Sequence, residues 1–270
     1  NYIDIDVNFI AIGNWTASTN LINGYSFSGS GTVSTSGIQT IRLLAAGTPI
    51  LNQTNNFALT FNNSTICTVD VVVTGLYRQG HVHCTNGKAA IVDVVSPTGR
   101  VWMDRNLGAS QVATSTNDAL ARGDLYQWGR FADGHQCRNS TITHSLSNVN
   151  TPGHSNLISP AGYPGDWRSP PFNGLWQGEN GVNNPCPIGY HVPTSAEWSA
   201  EILMQQIGYD GELKLISAGT RQPVGIIGQL EAKYYWSSTT SLSLSEYFNG
   251  FTSSSFIQRA VGLSVRCIKD

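Results

Sequence analysis

The chain is poor in charge. Only 12% of its residues are Asp, Glu, Lys or Arg, about half the usual share of a soluble domain. Net charge is −2 and the pI is near 6.3. No basic stripe exists to neutralise phosphates, which excludes nucleic acid as a partner. Apolar runs are also short. Val71-Val72-Val73 is strand-sized, far below the ~20 residues needed to span a bilayer, so no membrane span is expected. No two of the five cysteines, at 67, 84, 137, 186 and 267, form a Cys-x-x-Cys unit, which argues against zinc and dithiol redox chemistry. Because residue 1 is Asn, the chain reads as a processed or trimmed product.

Ser, Thr, Asn and Gly fill the space that charge leaves, as on a neutral extracellular β surface. The length of 270 residues suits about two domains, and the texture changes once. Over 1–78, strand-like runs such as Tyr2–Val7, Ile38–Leu44, Asn56–Phe61 and Cys67–Val73 alternate with turn residues. Short strands at this spacing predict a small antiparallel β-sandwich, Ig-like, acting as a stalk or spacer. Residues 77–84 read as a junction. Over 79–270, tryptophan density rises: six of seven lie within 102–236.

One clear helix is predicted over 195–207. Thr194 and Glu197 make a capping box, Gly208 ends the helix, and Trp198, Ile202, Leu203 and Ile207 form an apolar stripe. Asn117–Ala121 predicts a second, short helix. Strands are expected at Ala89–Val95, Gly99–Met103, Leu213–Ile216, Tyr234–Ser237, Tyr247–Phe251 and Leu263–Ile268. One helix with several strands predicts an α+β fold class.

A set of segments then carries a resemblance. They are Val101–Ala109 (VWMDRNLGA), Gly123–Arg130 (GDLYQWGR), Asp133–Gln136 (DGHQ), Asp166–Pro170 (DWRSP), Asn184–Trp198, Tyr235–Thr239 (YWSST) and Gly262–Asp270. In this order they resemble the Fibrobacter succinogenes major paralogous domain family of Bacteroidota surface proteins, over about residues 85–270. The resemblance implies a C-type lectin-like fold and a place among adhesins, receptor-binding proteins diversified by retroelements and, more distantly, formylglycine-generating enzymes. It also implies chain ends held together by a disulfide. Cys186–Cys267 is the expected bridge, closing a loop worth roughly 4–5 kcal/mol, and Cys84–Cys137 the second. Cys67–Cys84 is the competing pair. Otherwise Cys67 is expected to be buried as a small apolar residue.

The chemistry-bearing residues are weighed on that background. A catalytic Cys186 needs a base and a lowered pKa; His191 lies five residues on, across a proline-stiffened segment. His81 and His83, with His135, are two or three candidate metal ligands without a fixed third partner. Asp104, Asp124, Asp133 and Asp166 stand beside Arg105, Arg130 and Arg168, and partly buried ion pairs explain them more simply than acid–base catalysis. The calcium-lectin signatures Glu-Pro-Asn and Gln-Pro-Asp are absent: Gln222-Pro223-Val224 lacks the third ligand. No cofactor is expected, although a structural calcium on loop carbonyls stays open. Only Cys267 stands near the C-terminus where a formylglycine-generating oxidase needs two cysteines.

Between Thr239 and Arg266 runs a stretch of Ser, Leu, Tyr, Phe and Asn. Rigid aromatics among small polar residues suit recognition, and the resemblance puts variable residues there. The expected ligand contacts are Leu242, Leu244, Tyr247, Asn249, Phe251, Phe256 and Gln258. The expected function is that of a secreted or cell-surface, non-enzymatic binding protein, an adhesin or receptor-binding module. Its partner would be a protein or glycan on another cell or surface. The alternatives are a subunit self-assembling into a surface filament and a formylglycine-generating-type oxidase.

Overall fold

The computed structural model describes residues 1–51, 53–73, 75–84, 88–160, 165–204, 209–222, 225–227, 233–240, 242–247 and 250–270; for 225–227, 242–247 and 250–256 it describes the backbone alone. The chain divides into two compact units, Asn1–Leu76 and Tyr77–Asp270.

The first unit is built from β1 (Tyr2–Phe9), β2 (Gly13–Thr19), β3 (Tyr25–Val33), β4 (Gly37–Gly47), β5 (Gln53–Phe61) and β6 (Ser64–Val73). All six lie in one antiparallel sheet of order β1-β4-β3-β2-β5-β6. Period-two alternation sorts the side chains onto two faces. In β4 it buries Ile41 and Leu43 between exposed Thr40, Arg42 and Leu44. The sheet curls, so strands from both ends feed one core: Phe9 of β1, Tyr25 and Phe27 of β3, Phe57 and Leu59 of β5, and Val73 of β6. Tyr25, Phe27 and Phe57 meet edge-to-face at 5.0–5.5 Å, the geometry that ring quadrupoles favour. The expected sandwich is thus built from one curled sheet whose faces enclose the core. Cys67 is exposed on β6 and unbonded, not buried.

In the second unit, β7 (Asp93–Val95) and β8 (Val101–Met103) form a hairpin. They share a sheet, in order β12-β19-β8-β7, with β12 (Tyr190–His191) and β19 (Ile268–Lys269). A second sheet, β14-β13-β18-β9, joins β9 (Tyr126–Gln127), β13 (Thr220–Gln222), β14 (Gly225–Ile227) and β18 (Gly262–Leu263). Two small ladders complete it: β10 (Ile142–Thr143) with β11 (Leu157–Ile158), and β15 (Lys233–Trp236), β16 (Leu242–Tyr247) and β17 (Gly250–Phe256) in order.

The one α-helix among the described residues, α1, spans Ser195–Leu203. Both arms of the Thr194–Glu197 capping box are made, and the helix ends earlier than expected, with Met204 as its C-cap. Asn117–Ala121 contains only a 3-10 turn, Ala119–Ala121, capped by Asp118. The stripe on α1 also differs. Trp198 is buried and Ile202 half-buried, but Leu203 is 80% exposed while Glu201 is fully buried. Leu213–Ile216 is loop. The expected strand Tyr247–Phe251 is divided between two elements: Tyr247 ends β16, Gly250 and Phe251 begin β17, and Tyr247 pairs with Gly250.

These observations overturn the α+β class. Strand makes up 37% of the chain and helix 5%, so the protein is mostly β. The expected helices on one twisted core give way to several small sheets joined by long loops. One short helix is too little to form a layer.

Candidate functional site

Loops this long need internal partners for their polar groups, and buried tryptophans supply many of them. Trp102, Trp128, Trp167, Trp176, Trp198 and Trp236 are all fully or almost fully buried. Each indole N–H donates across the fold. Trp128 reaches the Ser237 carbonyl (3.0 Å), Trp167 the Trp128 carbonyl (2.6 Å) and Trp236 the Tyr126 carbonyl (2.6 Å). Trp198 reaches the Trp236 carbonyl at 3.2 Å, and Trp176 the Asn183 carbonyl at 2.9 Å. Trp102 donates to the Glu201 carboxylate at 3.1 Å.

The carboxylates and histidines of the motif segments are drawn into the same framework. Asp104 forms a two-pronged pair with Arg105 (2.6 and 2.9 Å). Buried Arg130 grips Asp133 at 2.7 Å and also donates to the Gln127 side chain and to the carbonyls of Asn156 and His154. Gln127 in turn ties the carbonyls of Ile158 and Ala260. His135 is fully buried, with Nδ1 2.6 Å from Asp133 and Nε2 3.0 Å from the Gln127 N–H. An imidazole accepting at Nε2 must carry its proton on Nδ1, so His135 is neutral. Burial, helped by the Arg130 charge, holds its pKa down to about 4. Burial alone would raise Asp133, yet His135 and Arg130 hold it at about 2.

Asp166 pairs with Arg259 at 3.2 Å, and its other oxygen caps the Arg168 N–H. Asp124 differs: it is buried, and desolvation raises its pKa to about 7 against the pull of Arg138. Its carboxylate lies over Gly108, where a Cβ would sit 2.2 Å from Oδ2.

The cysteines close two rings, Cys84–Cys137 and Cys186–Cys267. The latter pairing leaves no thiolate at Cys186. His191, its nearest candidate base, is held between Asp270 (2.8 Å) and Glu197 (3.2 Å). His81 and His83 lie together, their ring centres 4.7 Å apart, whereas His135 is consumed elsewhere. Among the described residues, no group of three or more His, Cys, Asp or Glu is placed to hold a metal ion.

The expected ligand segment falls on the β16–β17 hairpin. Its ends are fastened to the tryptophan core. On the β15 side, Trp236 is buried and its N–H donates to the Ser264 carbonyl at 2.9 Å. Beyond β17, Arg259 lies 4.5 Å over the Trp128 ring and donates to Asn173 (2.5 Å) and Asp166. By register, Leu242 opposes Phe256, Glu246 opposes Phe251 and Tyr247 opposes Gly250, with a bulge between Ser243 and Ser245. Leu244 opposes Tyr235 of β15, which is fully buried. The side chains of Leu242, Leu244, Tyr247, Phe251 and Phe256 lie outside the described structure, as does Asn249 entirely. Gln258 is exposed and lies over Gly165, where a Cβ would meet its Cδ at 2.4 Å.

The residue that sequence reasoning missed is Glu201. Helical spacing places it beside Trp198, but a Glu is ordinarily assigned to the solvent face. Its Oε1 accepts from Ser96 (2.8 Å), Thr98 (2.6 Å) and the Trp102 indole. Only the fold, which brings residues about 100 positions away onto α1, reveals that acceptor role.

No family model, curated protein or solved structure matches this chain. The motif resemblance therefore stands without a family match beside it. Two disulfides fit an oxidising, extracellular compartment, and no helix among the described residues is long and apolar enough to cross a membrane.

Proposed function

We propose that this protein is a non-enzymatic, extracellular binding module, an adhesin or receptor-binding unit, that presents the β16–β17 hairpin to a protein or glycan on another surface. The observation that carries this reading is the anchoring of the hairpin. Trp236 on one side and Arg259 on the other are tied into a buried, cross-braced core, so residues between them can change without loosening the fold. The order of the motif segments supports it, as does the internal engagement of Asp104, Asp133, Asp166 and His135. Groups so committed are poorly placed for acid–base work.

The test is a binding screen of the intact chain on immobilised glycans and extracellular proteins. The variant Tyr247→Ala/Phe251→Ala is expected to lose roughly 30-fold or more in affinity for any hit, with an unchanged melting temperature. Unchanged affinity, or a collapse of the melting temperature, would reject the hairpin as the recognition face.

A second reading, a subunit of a surface filament, rests on the first unit. β1 and β6 are the two ends of its sheet, and β6 carries exposed Ile66 and Val72 in a run rich in β-branched residues. Such edges are templates for pairing with another chain. Long ordered assemblies under the electron microscope, lost on Val72→Lys, would favour this reading over the first.

A further inference from the structure

His81 is the one histidine among the described residues with a buried ring nitrogen that has no hydrogen-bond partner, its Nδ1. The other buried or half-buried rings are engaged: His135 by Asp133 and Gln127, and His191 by Asp270 and Glu197; exposed His144 is bonded to the Ser159 carbonyl. In the neutral His81 ring with its proton on Nε2, that Nδ1 offers a lone pair.

The second ring stands beside it. His83 is exposed, its centre 4.7 Å from that of His81. Two imidazoles bound cis to one ion at the usual ~2.0–2.1 Å place their ring centres roughly 4.5–5 Å apart. Tyr77 walls the pair, its ring 4.5 Å from His81 and 4.8 Å from His83, and Phe131 stands 6.1 Å from His81. Lys88 lies 5.5 Å from the Tyr77 ring; being exposed, it repels a cation only weakly.

We propose that His81 and His83 together bind one divalent transition-metal ion, Cu2+ in preference to Ni2+ or Zn2+, with water completing its coordination. Two neutral imidazoles without thiolate or carboxylate select this class, and the order of affinities within it follows from the ions. The site lies apart from the hairpin and does not depend on the binding role proposed above.

The experiment uses the full chain carrying Cys67→Ser, because the exposed Cys67 thiol would otherwise bind and reduce copper. Copper(II) chloride is titrated at neutral pH and followed by visible absorption and electron paramagnetic resonance. The expected result is one ion per chain with nitrogen hyperfine structure. His83→Gln, at an exposed position, should weaken binding by roughly tenfold or more, and His81→Gln/His83→Gln should abolish it, circular dichroism confirming the fold. His144→Gln/His154→Gln should bind as the parent does. No binding by the parent, or unchanged affinity in His83→Gln, would overturn the proposal.

Discussion

Asp124 and His135 stand eleven positions apart in the chain and respond to pH with opposite sign. The folded pKa of Asp124 is raised, to about 7. The stability it confers is complete below its unfolded pKa of ~4 and is lost as pH rises through 7, a span worth up to roughly 4 kcal/mol. The folded pKa of His135 is lowered, to about 4, so stability is lost as pH falls from ~6.5 through 4, up to roughly 3 kcal/mol. Between pH 4 and 6.5 the two trends offset one another. Asp124→Asn should therefore be more stable than the parent at pH 8. It should also uncover a rise in stability with pH across that window, measured by urea unfolding; a variant equal to the parent at pH 8 would show that Asp124 ionises without cost. Glu201 is the other residue with a large expected effect. Replacing it with Ala leaves the Ser96, Thr98 and Trp102 donors without their acceptor, at about 3 kcal/mol or more. The same change at exposed Glu212 should cost less than about 0.5 kcal/mol.

At the scale of elements, the boundary between the units has consequences for any fragment. Tyr77 donates to the Ala89 carbonyl, Arg78 to the carbonyls of Glu179 and Cys186, and the Val82 N–H to Ala132. Cys84 is bonded to Cys137. Residues 77–84 thus belong to the second unit rather than to a free linker. A fragment 77–270 should fold alone with a cooperative melt. A fragment 85–270 should be less stable by several kcal/mol and carry Cys137 as an alkylatable thiol. Equal melting temperatures for the two would mean that this segment contributes nothing to the unit. The capping box of α1 was readable because it is local: Thr194 and Glu197 are three residues apart and answer only to helix geometry. Leu203 was misassigned, and the burial of Glu201 went unread, because which face of so short a helix is covered depends on what packs against it.

Across the whole molecule, the Cys186–Cys267 ring spans 81 residues and encloses α1 and the hairpin. Replacing both cysteines with Ala should lower stability by roughly 4 kcal/mol, measured by denaturant unfolding. A loss below about 1 kcal/mol would show that the tryptophan braces alone hold the ends together. The strands of the first unit were legible, since period-two alternation needs nothing beyond neighbours in the chain. So were the capped helix and the enrichment of tryptophan over 102–236. What only the tertiary structure decided was everything set by distant partners. It closed the six strands into one curled sheet and spread the later strands among small ladders. It exposed Cys67, buried Glu201 and Asp124, and left one nitrogen of His81 without a partner. The physical reason is common to all of these. Alternation and caps arise from bonds within a few residues, whereas burial and the partner of a polar group are properties of the space around it, which residues 50 to 150 positions away supply.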